Sequence, residues 1–197
     1  MNLVKKGTVL DKLDSLDFKI LRELTLDGRI SITELANSVQ SFRPTVTNRI
    51  IRMKELGLLN VVGGLDFLNV GYKMATVSLK VPTEESLKAT IEILSNCPRV
   101  QTIFRSPKKA NIEVGVWGEN DPTINSTIES FRDISNVDII DINYLGAPIK
   151  GNIILRFDPK NLDITPCGQV CADCHRYQND WCNGCPDSKD CKNPLTK

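Results

Sequence analysis

Six of the seven cysteines in this 197-residue chain fall between Cys167 and Cys191, in a segment almost empty of aliphatic side chains. Residues 164–197 hold Val170, Tyr177, Trp181 and Leu195 and hardly another large apolar group. Burial on that scale cannot offset a conformational entropy of about 1–2 kcal/mol per residue, so the segment needs staples. The spacing is Cys167-x3-Cys171-x2-Cys174-His175-x6-Cys182-x2-Cys185-x5-Cys191. Its two CxxC pairs, Cys171/Cys174 and Cys182/Cys185, bring four thiolates within reach of the tetrahedron that zinc prefers, and Asn183-Gly184 suits the turn between the second pair. Zinc is therefore the expected cofactor, with those four cysteines as ligands and Cys167 and Cys191 as auxiliaries.

Thiolates also bind iron, so an iron–sulfur cluster is the alternative. Cys167-x3-Cys171-x2-Cys174 is the spacing by which radical SAM enzymes hold a [4Fe–4S] cluster, but this tail is too short to supply the barrel those enzymes need. Cys97, just before Pro98, is expected to be a packed or partly exposed thiol and not a site, and His175 an exposed side chain. The opening residues lack the apolar core of a secretion signal, and no apolar run approaches the roughly 18 residues of a membrane span. The expectation is a cytoplasmic protein, where clustered cysteines point to metal rather than disulfides.

A net charge of +1 conceals an uneven distribution. Residues 1–62 carry ten Lys/Arg against seven Asp/Glu, and residues 41–54 hold four basic side chains and no acid, whereas residues 73–150 carry nine basic against ten acidic. The basic segment reads as three short helices. Leu13, Leu16, Ile20 and Leu24 recur at helical spacing behind Asp14, and Asp27-Gly28 ends the run. Ser31 and Glu34 form a capping box that opens the second helix. The third runs from about Ser41 or Pro44 to Leu56, with Val46, Ile50 and Met53 inward and Thr45, Asn48, Arg49 and Arg52 outward. Leu58–Val62 followed by Gly63-Gly64 reads as the strand and turn of a wing. Two short helices at a tight turn, the second basic outside, make a helix-turn-helix.

From Lys73 the period changes. Strands at 73–81, 100–105, 112–117 and 137–145 alternate with helices at 83–94 and 122–134, the β-α-β-β-α-β order of a ferredoxin-like domain. One face of such a sheet is bare, so dimerisation is expected. A further strand is expected over 152–157. The fold class is α+β: a winged helix-turn-helix (1–62), a wing or linker (63–72), a ferredoxin-like domain (73–147), an extra strand and linker (148–163) and a metal-stapled cysteine-rich tail (164–197). With one His, no Gly-rich phosphate loop and no Ser/His/Asp arrangement, the chain is not expected to be an enzyme.

Leu13-Asp14 with Asp17, Asp27-Gly28-Arg29, Ser31, Glu34-Leu35-Ala36, Thr45-Val46, Arg49-Ile50, Arg52 and Gly57 resemble the N-terminal domain of Lrp/AsnC (feast/famine) transcriptional regulators. The β-α-β-β-α-β segment is similar to their effector-sensing RAM domain, so the resemblance covers roughly residues 10–147. It implies a homodimer, often assembling to octamers, that binds double-stranded DNA and answers to a small-molecule effector. On that reading Arg43, Pro44, Thr45, Thr47, Asn48, Arg49, Arg52 and Lys54 form the DNA surface, Arg suiting guanine and Asn adenine. The effector loop would comprise Ser106, Lys108, Lys109 and Asn111, where the family has a Gly-x-x-Asp type of turn; lysines there favour an anionic ligand over an ammonium group. A metal- or redox-sensing regulator, with the tail as its input, is the rival function.

Overall fold

The computed structural model describes residues 9–196 apart from positions 68, 108, 152 and 157. The chain divides into two compact units, Met1–Val62 and Gly63–Lys197.

In the first unit three helices surround a small core of Ile20, Leu35, Ala36, Val39, Val46 and Met53. α1 (Ser15–Leu26) starts in a capping box in which the Asp14 carboxylate accepts the Asp17 amide and Asp17 returns the bond. α2 (Ile32–Ser38) starts in the Ser31/Glu34 box read from the sequence. Each box satisfies backbone donors that a helix start leaves unpaired. α3 (Arg43–Glu55) has Phe42 at its N-cap and no side-chain cap, with Pro44 in the first turn, where a missing N–H costs nothing. It ends at Gly57, whose φ of +68° is a left-handed conformation that glycine adopts without strain.

The wing is corrected: residues 58–62 form no strand. The amides of Leu58 and Leu59 both bond back to the Met53 carbonyl, and Leu59 packs on the core, so the segment closes the end of α3 instead of entering a ladder.

The second unit is built on a four-stranded antiparallel sheet. β2 (Lys73–Lys80), β3 (Val100–Arg105), β4 (Ile112–Gly118) and β5 (Asp138–Leu145) lie in the order β3-β4-β2-β5, and α4 (Glu84–Ser95) and α5 (Asp121–Arg132) connect them. Ala75, Val77, Leu79, Val114 and Val116 point to one face, where Leu87 and Leu94 of α4 and Ile124, Ile128 and Phe131 of α5 complete the core. Cross-strand pairs Thr76/Asn143 and Ser78/Asp141 carry polar side chains on the other face.

β1 (Leu65–Asp66) and β6 (Ile154–Leu155) form a separate two-stranded ribbon, whose Leu155 joins a second cluster with Phe67, Met74 and Trp117. The Gly63-Gly64 pair thus serves this ribbon: a Cβ on Gly64 would lie 2.2 Å from the Leu155 carbonyl oxygen. The strand expected at 152–157 is shorter, and its ends 152 and 157 lie outside the described residues.

The tail belongs to this second unit. It has one short helix, α6 (His175–Gln178), and is otherwise held by turns and side chains. Its mounting is Arg99, just ahead of β3. The guanidinium is buried, forks onto Glu119 at 2.9 and 3.3 Å, donates to the Gly184 carbonyl of the tail at 2.6 Å, and lies 5.0 Å over the Trp117 ring. Glu119 in turn accepts the Asn193 amide at 2.7 Å, and Ser126 of α5 donates to the Trp181 carbonyl at 2.7 Å.

Candidate functional site

α3 presents an outer face of Arg43, Pro44, Asn48, Ile51 and Lys54, all exposed, with Thr45 and Thr47 half-buried beside them. Among the described residues neither Arg43 nor Lys54 has an ion-pair partner. Arg49 and Arg52, expected on the same face, are drawn elsewhere. Arg49 reaches Asp14 at 2.6 Å and Asp17 at 3.1 Å, and Arg52 reaches Asp17 at 2.8 Å and the Lys12 carbonyl at 2.9 Å. Asp17 is fully buried, so it holds both guanidinium groups against the start of α1. The Asp17 amide and then Arg49 keep the Asp14 carboxyl below the usual carboxylate range. The periodicity placed these arginines outside the core correctly, but Asp14 and Asp17 read there as helix-start residues and not as partners for α3. Spacing of 32 and 35 residues gives a sequence reader no signal.

The effector loop is tied down by Asn111. Its side chain accepts from the Val81 amide at 2.9 Å and donates to the Val81 carbonyl at 2.7 Å, and its backbone bonds Leu79 and Ser106. Lys108 lies outside the described residues. Ser106 and Lys109 border an open groove of ≈ 450 Å³ that also holds Glu113 and Asp141. These two carboxylates, brought in from β4 and β5, are what the loop sequence alone lacked. Ser78 donates to Glu113 at 2.7 Å.

Five of the six tail cysteines, Cys167, Cys171, Cys174, Cys182 and Cys185, line one cavity of ≈ 60 Å³, and Cys97 and Arg99 line it from the sheet side. Cys97, expected to be a packed or partly exposed thiol and not a site, is therefore brought to the tail. Cys191 is buried outside the lining, where its Sγ faces the Gly184 carbonyl at 3.9 Å. His175 packs edge-on against Trp181 and does not line the cavity. All seven cysteines are free thiols. Burial pushes the Cys97, Cys182 and Cys185 thiols up, opposed at Cys182 first by the Arg99 charge.

A helix-turn-helix unit followed by an antiparallel β-α-β-β-α-β unit defines a class of DNA-binding regulator with a separate sheet domain. Residues 13–54 match the AsnC-type helix-turn-helix domain. A leucine-responsive regulatory protein of Rhizobium meliloti is 30% identical over 136 residues, covering 66% of this chain and 86% of the relative. An uncharacterised HTH-type transcriptional regulator of Pyrococcus abyssi is 26% identical over 137 residues, 66% of this chain and 91% of its own length. The crystal structure of the Mycobacterium tuberculosis leucine response regulatory protein superposes with a TM-score of 0.64 at 18% identity, over 71% of this chain and 96% of that one. The chain belongs to the Lrp/AsnC family of DNA-binding transcriptional regulators. Its relatives are regulators, not enzymes, and among the described residues no helix is long and apolar enough to cross a membrane.

Proposed function

We propose that this regulator reads its operator with the outer face of α3, where Arg43, Thr47 and Asn48 approach base edges and Lys54 a phosphate, while Arg49 and Arg52 fix the pose of the helix. The carrying observation is the division of the arginines: Arg43 is exposed and has no ion-pair partner among the described residues, whereas Arg49 and Arg52 are clamped to Asp17. Removing a base contact costs about 1–3 kcal/mol of discrimination, and removing a phosphate contact weakens all sequences alike and flattens the salt slope. Fluorescence anisotropy with a selected operator and a scrambled duplex tests this. Arg43→Ala and Asn48→Ala should lower affinity for the operator more than for the scramble, and Lys54→Ala should lower both equally. Unchanged binding by all three would overturn α3 as the reader.

The protein acts as a homodimer, with higher assembly up to an octamer, through the sheet face that the helices leave uncovered; exposed Phe104, Ile140 and Leu145 there support an interface. A small-molecule effector modulates it. A relative is named as leucine-responsive and a structural neighbour was crystallised with L-methionine, and the groove bearing Lys109, Glu113 and Asp141 offers charges of both signs to a zwitterion.

The tail holds a thiolate-bound metal, zinc or an iron–sulfur cluster, that staples it. One observation favours the second reading, in which the tail is itself the input: its cavity shares Cys97 and Arg99 with the sheet unit. DNA affinity that changes with metal occupancy would support it, and affinity independent of occupancy would remove it.

A further inference from the structure

Six thiols border a single cavity, and one of them comes from outside the tail. The cavity measures ≈ 60 Å³, where about 10–15 Å³ suffices for one water. A single zinc ion would gather its sulfurs at about 2.3 Å from one point. Here six thiols share the lining of one space, more than the four that a single tetrahedral zinc takes. A body with its own volume, to which thiolates attach at separate corners, fits that arrangement better than an ion does.

Two further observations point the same way. A backbone N–H group meets one of the cysteine sulfurs: the Cys185 amide lies 3.5 Å from Cys171 Sγ. Such bonds stabilise thiolate charge and tune clusters held by cysteine. Arg99, which lines the cavity, is buried, and its Nε has no hydrogen-bond partner among the described residues although the other two nitrogens donate three bonds to Glu119 and Gly184. A buried cationic N–H left open beside a thiol cavity suits an anionic occupant.

We propose that this cavity seats a [4Fe–4S] cluster held by Cys167, Cys171 and Cys174, with Cys97 of the sheet unit as the fourth ligand and Arg99 as the countercharge. The three tail residues have the x3, x2 spacing that grips three corners of such a cluster, and all three reach the cavity. Of the remaining thiols, Cys97 sits beside Cys167, the two bordering a second groove together as well as this cavity. The site is then complete only with the tail docked on the sheet. The proposal rests on the tail being a metal binder and selects which metal and which ligands.

The test is elemental and sulfide analysis of the full chain purified without oxygen, with any metal-free protein reconstituted from ferrous iron and sulfide. The expected result is a brown protein with about four irons and four sulfides per chain. Cys97→Ala should lose at least half of both, as should Cys171→Ser, while Cys191→Ser, outside the lining, keeps them; circular dichroism checks that each variant folds. Cys97→Ala that retains iron as well as Cys191→Ser does overturns the shared site. One zinc per chain without sulfide overturns the cluster, and a chain that takes up neither metal overturns the metal-binding tail itself. Operator binding by any of these preparations supports the regulator reading whichever metal is found, so the two fail separately.

Discussion

Two arginine–carboxylate clusters, one in each unit, use the same chemistry in opposite ways. Near α1 the buried member is the acid: Asp17 is fully enclosed, and the guanidinium groups it binds are 28% and 42% exposed. At the root of the tail the buried member is the base: Arg99 is 4% exposed and its Glu119 partner 11%. The first cluster keeps water on its cations and joins two neighbouring helices, so its charges stay cheap to hold. The second is desolvated on both sides and draws in the Gly184 carbonyl and the Asn193 amide from the tail. A buried charge is tolerated only where partners surround it, so the second cluster doubles as a docking device while the first is an orienting one.

Breaking the second cluster should have the largest effect. Arg99→Met leaves Glu119 without its cation and should cost about 3–5 kcal/mol in urea denaturation of the full chain, with faster proteolysis of the tail. Adding Glu119→Gln should recover part of the loss, because the uncompensated charge goes with it. A single variant as stable as the parent would end the comparison. In the first cluster, replacing Arg49 and Arg52 together by Ala strips both cations from the buried Asp17 and should lower the urea midpoint, and adding Asp17→Asn should recover part of that loss. Arg43→Ala should leave stability unchanged while weakening operator binding, which separates orientation from reading by comparing melting curves with anisotropy. Ser31→Ala, which removes a cap remote from both clusters, should cost about 0.5–2 kcal/mol and sets the scale for an ordinary local bond.

Acid sharpens the contrast further. Glu34 is held below its ordinary range by the Ser31 hydroxyl and amide, and Asp14 by the Asp17 amide and then Arg49. A carboxyl depressed by folding contributes stability that is present above its unfolded value, about 3.9 for Asp and 4.3 for Glu, and lost as pH falls through the folded one. Melting temperature should therefore be insensitive to these groups near neutrality and fall below about pH 4, and Asp14→Asn with Glu34→Gln should flatten that fall.

Local chemistry was readable from the sequence. The Ser31/Glu34 box, Gly57 at the end of α3 and the alternation of Lys73–Lys80 each follow from a few adjacent residues. Long-range partnership was not. Asp17 looked like an acid in a first helical turn, which it is, yet its second role depends on side chains 32 and 35 residues away. Cys97 looked solitary because 70 residues separate it from Cys167, and only the sheet closes that distance. The wing misread had a similar origin: Val61-Val62 favour β structure locally, but the described residues of their own unit form helices and no strand for them to pair with.

That last pairing has a consequence for where the chain can be cut. β1 and β6 lie about ninety positions apart yet buckle the two margins of the sheet unit together, with the Phe67 amide donating to the Ile153 carbonyl at 2.9 Å and Gly64 pressed against Leu155. Truncation after residue 147 would discard one half of that buckle, leaving Phe67 and Trp117 without Leu155 and stranding Gly64 where its lack of a side chain no longer serves anything. A version trimmed of its cysteines must therefore keep residues through Leu155. What looks like a regulator with an appendage is a regulator whose last strand pairing lies on the way to the appendage.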